Sequence, residues 1–115
     1  MRLVHSTGET TRVLATEVDT ADSTLTRAKG LMFRRAIPED YALVFRFDEA
    51  RSRDVHMLFV PFPIDVLWLV GNEVVQKKRL RPWLGLGRGT ADTLVELPAG
   101  AAEAVSEGDI VRLES

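Results

Sequence analysis

His56 and Asp65 stand on either side of Pro61-Phe62-Pro63. A histidine held by a carboxylate can take up a proton or fix a metal ion. A chain that doubles back at the prolines would let the two side chains approach, which makes them the candidate catalytic residues. Two ligands are too few for a closed zinc site. The chain has no cysteine and His5 is its only other histidine, remote in sequence. No metal or other cofactor is therefore expected. The structural alternative has Asp65 accepting backbone N–H groups in the turn and His56 as a satisfied, partly buried ring.

A second group lies further on. Arg79, Arg81, Trp83 and Arg88 gather around a glycine-rich stretch, Gly85-Leu86-Gly87-Arg88-Gly89. Arginine and tryptophan are frequent anchors of recognition surfaces and also stack on bases or sugars. These four are the candidate binding residues, forming a basic lip for an anionic partner. Against this, Trp83 could fold back over one end of the domain. The glycines lack the spacing of a dinucleotide fingerprint and the Lys-Ser/Thr of a nucleotide loop. They read more simply as a mobile connection between strands. Arg27, Lys29, Arg34 and Arg35 form another basic group, which suits the end of a helix.

Other constellations carry less. Glu39-Asp40 and Asp48-Glu49 are neighbours, so their side chains diverge and form no acid/base pair. No serine lies in a Gly-x-Ser-x-Gly setting, which leaves a serine hydrolase unsupported. Absent cysteine excludes disulfides, thiolate metal sites and a Cys nucleophile.

The 115 residues carry a net charge of −2, with 45% apolar and 28% charged content. That is one ordinary globular domain, residues 1–115, with no global attraction to nucleic acid. The sum conceals an asymmetry. Residues 74–91 hold five bases and no acid, whereas residues 92–115 hold six acids and only Arg112 as a base. Either the two segments meet, or the first forms the basic lip. The most apolar stretch, residues 55–70, is interrupted by His56, Pro61, Pro63 and Asp65, so no membrane span is expected. The N-terminus lacks a leader-like apolar run, and the expectation is a cytoplasmic protein.

The elements that must position these residues are short strands separated by turns. Residues 2–5 and 11–18 suggest an opening hairpin. Asp22 or Ser23 caps a helix of about three turns, with Leu25, Ala28, Leu31 and Met32 on one face, ended by Gly30 and residues 34–38. Residues 41–47 alternate as a strand, and residues 48–54 read as a charged loop. Residues 55–60 and 65–70 are apolar on both faces, as central strands should be. Gly71-Asn72 makes a two-residue hairpin turn into a strand over residues 73–80. Residues 81–91 read as a loop, 93–97 as a strand, 99–105 as a helical turn and 110–114 as a last strand. The predicted fold is mainly β, a compact antiparallel sandwich or barrel of about eight short strands with one short helix near the N-terminus.

Three segments in this order resemble a known family: Arg27-Ala28-Lys29-Gly30-Leu31-Met32-Phe33-Arg34, Pro61-Phe62-Pro63-Ile64-Asp65-Val66-Leu67-Trp68-Leu69, and Val95-Glu96-Leu97-Pro98-Ala99-Gly100. The chain is similar to the family known as domain of unknown function one hundred and ninety-two. The resemblance covers roughly residues 18–114 and implies a compact antiparallel β domain with a short helix. It implies no activity. One departure stands out: many members carry Lys-Asn-Thr before the proline segment, where this chain has Leu58, Phe59 and Val60.

Together these features favour a non-enzymatic binding or accessory module. Its lip of Arg79, Arg81, Trp83 and Arg88 would recognise a small anionic or carbohydrate-like ligand, or a protein. An enzyme using His56 and Asp65, with or without a metal, is the alternative from another class. Nucleic-acid binding by the same lip is the third.

Overall fold

An unbroken apolar run in a strand needs cover on both faces, and Val66-Leu67-Trp68-Leu69 is such a run. In the computed structural model, which describes residues 1–21 and 30–115, that run lies in the interior of a single eight-stranded sheet. The strands are β1 (Arg2–Ser6), β2 (Thr11–Ala15), β3 (Glu17–Ala21), β4 (Tyr41–His56), β5 (Ile64–Val70), β6 (Glu73–Leu80), β7 (Leu86–Pro98) and β8 (Ile110–Glu114). Their order across the sheet is β2-β1-β8-β6-β5-β7-β4-β3. Trp68, Val66 and Ile64 of β5 enter one core, with Leu43, Phe45, Val55 and Leu80. Leu67 and Leu69 enter a second core on the other face, with Val44, Val95, Leu97 and Val111.

The hairpins follow local chemistry. Gly71 and Asn72 both take positive φ, 56° and 72°. That is the two-residue turn whose twist matches its flanking strands, and it joins β5 to β6. The opening hairpin of β1 and β2 forms as expected.

Four expectations are corrected. The segment at residues 11–18 is not one strand: it breaks at Thr16, β3 leaves the hairpin and pairs with β4 in parallel at the far edge of the sheet. The sheet is therefore neither wholly antiparallel nor closed by hydrogen bonds. The charged residues 48–54 are no loop but the middle of β4, where a register shift between Arg46 and Arg51 lets the strand continue. Residues 81–91 are only partly loop, because β7 begins at Leu86 and its glycines pair with β4. Most of the expected helix, residues 22–29, lies outside the described residues; its described end, Gly30–Phe33, is turn rather than helix, with Arg34 N–H donating to the Leu31 carbonyl. Residues 98–105 form successive tight turns, with Ala101, Glu103 and Val105 each donating to the carbonyl three residues back.

Candidate binding site

The proline segment does not bring His56 and Asp65 into a pair. Asp65 is 3% exposed, on the face of β5 opposite Ile64 and Val66. One of its oxygens accepts from Arg79 Nε at 2.8 Å, the other from the N–H groups of Gly100 and Ala102 at 3.0 and 3.1 Å. It thus accepts backbone N–H groups as weighed from sequence, but those of the turn after Pro98 and not of the proline turn beside it. His56 is exposed at the end of β4, its Nδ1 accepting from Leu58 N–H at 3.2 Å. His5 does find a carboxylate: its Nε2 meets Asp109 Oδ2 at 2.7 Å, while Arg12 Nε donates to Nδ1 at 3.2 Å. The Arg12 bond makes Nδ1 the acceptor, so Nε2 is the nitrogen that donates to Asp109. That bond and the Ser106 N–H hold the Asp109 carboxyl below the usual carboxylate range. Among the described residues no His, Asp and Glu group could hold a metal ion.

The basic run is divided by the two faces of β6. Lys77 and Arg79 point to one side, where Lys77 Nζ donates to the Ala102 carbonyl and Arg79 meets Asp65 and Glu103. Lys78 points to the other and donates to the Leu86 carbonyl. Arg88 grips Asp54 with two nitrogens, at 2.5 and 3.1 Å, which holds that carboxyl below its ordinary range. Arg81 is exposed, and among the described residues it has no ion-pair partner. The lip is not one field of open positive charge.

The glycine stretch serves packing. A Cβ on Gly87 would come within 2.7 Å of the Trp68 ring, and one on Gly89 within 2.9 Å of the same ring. Trp68 is fully buried and donates from Nε1 to the Arg53 carbonyl at 3.0 Å. The glycines exist in β7 because an indole occupies the space above them.

Trp83 does lie on an exposed surface, and it has aromatic company that the sequence did not announce. Trp83, Phe59 and Phe33 are 51%, 45% and 66% exposed. The Phe33 and Phe59 rings stack at 4.9 Å, and Trp83 meets Phe59 edge-on at 6.0 Å. Backbone bonds fix the arrangement: Phe33 N–H donates to the Phe59 carbonyl, and Trp83 N–H to that of Val60. All three residues have positive φ, between 61° and 70°. For a bulky L-residue this costs about 1–2 kcal/mol each. Leu58, next to Phe59, and Leu84, next to Trp83, are also exposed. The one available signal for Phe59 lies in the resemblance noted above, in which polar residues commonly stand where this chain has Leu58 and Phe59.

Beside this surface a cleft of about 390 Å³ opens between β4, β7 and the turn at Gly30. Leu31, Phe45, Val55, Ile64 and Leu94 make its walls, and Glu96 lies among them. Glu96 is 7% exposed. On β7 it shares a face with Leu94 and lies between Leu43 and Val66 of the neighbouring strands. Burial pushes its carboxyl up to about 7, although the Arg34 charge pulls the other way. Arg34 makes its hydrogen bond elsewhere, to the Tyr41 hydroxyl at 3.0 Å, and that hydroxyl donates to Asp19.

Glu96 and Asp65 tie together the three segments singled out in the sequence. Gly30 of the first lies over Glu96 of the third, and Asp65 of the second holds Gly100 of the third. Residues 4–113 match the model of the family DUF192, described as "Uncharacterized ACR, COG1430". The chain belongs to that family. Among curated relatives it is 38% identical over 93 residues to UPF0127 protein PH1112 of Pyrococcus horikoshii, covering 77% of this chain and 78% of that one. It is 30% identical over 99 residues to UPF0127 protein TK1120 of Thermococcus kodakarensis, covering 83% of this chain but only 63% of the relative's length. A crystal structure from Sinorhizobium meliloti, described provisionally as a transcription regulator, matches with a TM-score of 0.85 at 25% identity, over 96% of this chain and 91% of that one. A protein of unknown function from Novosphingobium aromaticivorans matches with a TM-score of 0.84 at 18% identity, over 97% and 84%. The family has no assigned function, and these likenesses give this member a fold. Among the described residues no helix is long and apolar enough to cross a membrane.

Proposed function

We propose that this domain is a non-enzymatic binding module that docks an apolar, acid-flanked segment of a partner protein on the Phe33–Phe59–Trp83 surface. The observation that carries this reading is the exposure of three touching aromatic rings on backbones held at positive φ. Such strain persists where surrounding structure enforces it, and it clusters at functional sites. The neighbouring leucines favour a protein segment over a sugar, whose hydroxyls they would strand. Arg81, exposed and two residues before Trp83 in the chain, favours carboxylates beside that segment. The other bases of the expected lip are engaged within the molecule, which weakens the anion and nucleic-acid readings. The provisional description of the S. meliloti structure is the one external pointer toward nucleic acid.

Selection of a displayed peptide library on the wild-type chain tests this. Enriched peptides carry aromatic or aliphatic residues beside acids, and Trp83→Ala weakens them at least about tenfold. Failure to enrich any peptide overturns the reading, as does equal binding to the variant. Duplex DNA or short RNA bound in a strongly salt-dependent manner, and lost in Arg81→Ala, would replace it with nucleic-acid recognition.

A further inference from the structure

We propose that the cleft over Glu96 is a second site, taking a small organic ammonium whose hydrocarbon body lies against Leu31, Phe45, Ile64 and Leu94. The cleft volume, about 390 Å³, falls in the roughly 300–1,000 Å³ range of small-molecule sites. Its lining is mixed, with Leu31, Phe45, Val55, Ile64 and Leu94 for a hydrocarbon body and Ser52, Arg53, Asp54, His56 and Glu96 as polar groups to orient it.

Glu96 is the polar group that is out of place. It is more than nine-tenths buried and opens to the cleft. No hydrogen bond from a described residue reaches its carboxylate, whose oxygens are open to the cleft and not sealed within the core. Arg34 is near enough to be felt but is bonded to Tyr41. The strands flanking Glu96 offer Leu43 and Val66 at its register, and neither is polar. At the mouth, on β4, are Arg53, Asp54 and His56. Arg53 lies over the Phe47 ring at 3.8 Å and donates to the carbonyls of Ala91 and Glu49. Asp54 is held by Arg88, and His56 accepts from Leu58.

A carboxylate that is mostly desolvated and reaches solvent only through this partly apolar cleft favours a cation bearing N–H donors. Phe45 in the wall suits the same charge, because its ring face is negative. An anion would be repelled by Glu96, and the nearest cations are already engaged, Arg53 with the Phe47 ring and two carbonyls and Arg34 with the Tyr41 hydroxyl. A neutral apolar molecule would leave the carboxylate unrelieved. Gly30 permits the approach: a Cβ there would touch the Phe45 ring at 3.4 Å and lie 3.8 Å from Glu96 Oε1, narrowing the cleft beside the carboxylate.

The test uses phenethylamine and its uncharged counterpart phenethyl alcohol, titrated into the full chain and followed by backbone amide shifts. At about pH 8, where Glu96 is mostly ionised, the amine should bind at least about tenfold more tightly than the alcohol. The shifts should centre on Phe45, Leu94 and Glu96. Lowering the pH to about 5 should erase the difference as Glu96 is protonated. Glu96→Gln keeps shape and removes charge, and should erase it at both pH values. Trp83→Ala should leave amine binding unchanged, which separates this site from the docking surface. Equal affinity for the two probes, a preference surviving in Glu96→Gln, or shifts centred elsewhere each overturn the proposal; the two-probe comparison on the wild-type chain does not depend on any variant folding.

Discussion

Glu96 makes stability depend on pH in an unusual direction for a carboxylate. Its folded pKa, about 7, exceeds the 4.5 of the exposed group, so the folded chain binds the proton more tightly. Its contribution is fully present below about 4.5, falls as the pH rises toward 7, and stays low above. The size is of order 3 kcal/mol. Between about pH 5 and pH 8 the urea midpoint of the wild type should therefore fall more than that of Glu96→Gln. Parallel pH profiles would show that the group titrates normally in the fold. The sequence contained half of this. Leu94 and Glu96 share a strand face, so a charge stood at the phase of a core residue. It did not contain the other half, because the groups around Glu96 come from Gly30, Phe45 and Ile64, and only the folded sheet assembles them.

Between elements, Asp65 acts as a latch. It joins β5 to β6 through Arg79 and to the turns after β7 through two N–H groups. The two sides of the latch differ in environment: Asp65 is buried, whereas the Arg79 side chain is 52% exposed. Asp65→Ala leaves the buried Ala102 N–H without an acceptor and should cost roughly 1–3 kcal/mol. Arg79→Ala removes the partner that is half in solvent while Asp65 keeps its two N–H donors, and should cost less, about 1 kcal/mol. Urea denaturation of both variants checks the order; a larger loss for Arg79→Ala would mean the ion pair, not the turn, is what Asp65 stabilises. Strand identity was legible wherever alternation or continuous apolarity was strong, as in β5. It failed in β7 because glycine looks like loop when the indole that demands it is twenty residues away in the chain. It failed in the middle of β4 because a register shift lets a charged segment remain in a ladder.

Across the molecule, the near-zero charge is a sum of pairs drawn from distant segments. Arg88 goes to Asp54, Arg79 to Asp65 and Glu103, and Arg2 and Arg112 to Glu114. The basic run and the acidic tail thus meet only in part. The same long-range logic governs the sheet edges. β2 and β3 are separated by Thr16 alone, yet they end the strand order on opposite sides. Thr16 is held there: its N–H donates to the Asp40 carbonyl and its hydroxyl to the Asp40 carboxylate at 2.8 Å. Thr16→Ala deletes the hydroxyl bond, so amide exchange should quicken in β2 and β3 together by severalfold, with β5 unaffected. Acceleration in one edge alone would mean the corner does not couple them.

That corner also bears on how the protein behaves among copies of itself. An open sheet ordinarily offers two separate borders along which a second chain can add and propagate a fibre. Here a single residue, Thr16, joins the two outermost strands, each only five residues long. A strand arriving at that end of either would meet the bend leading into the other. The topology that leaves the sheet unclosed therefore ends it in two short strands whose shared bend blocks one end of each.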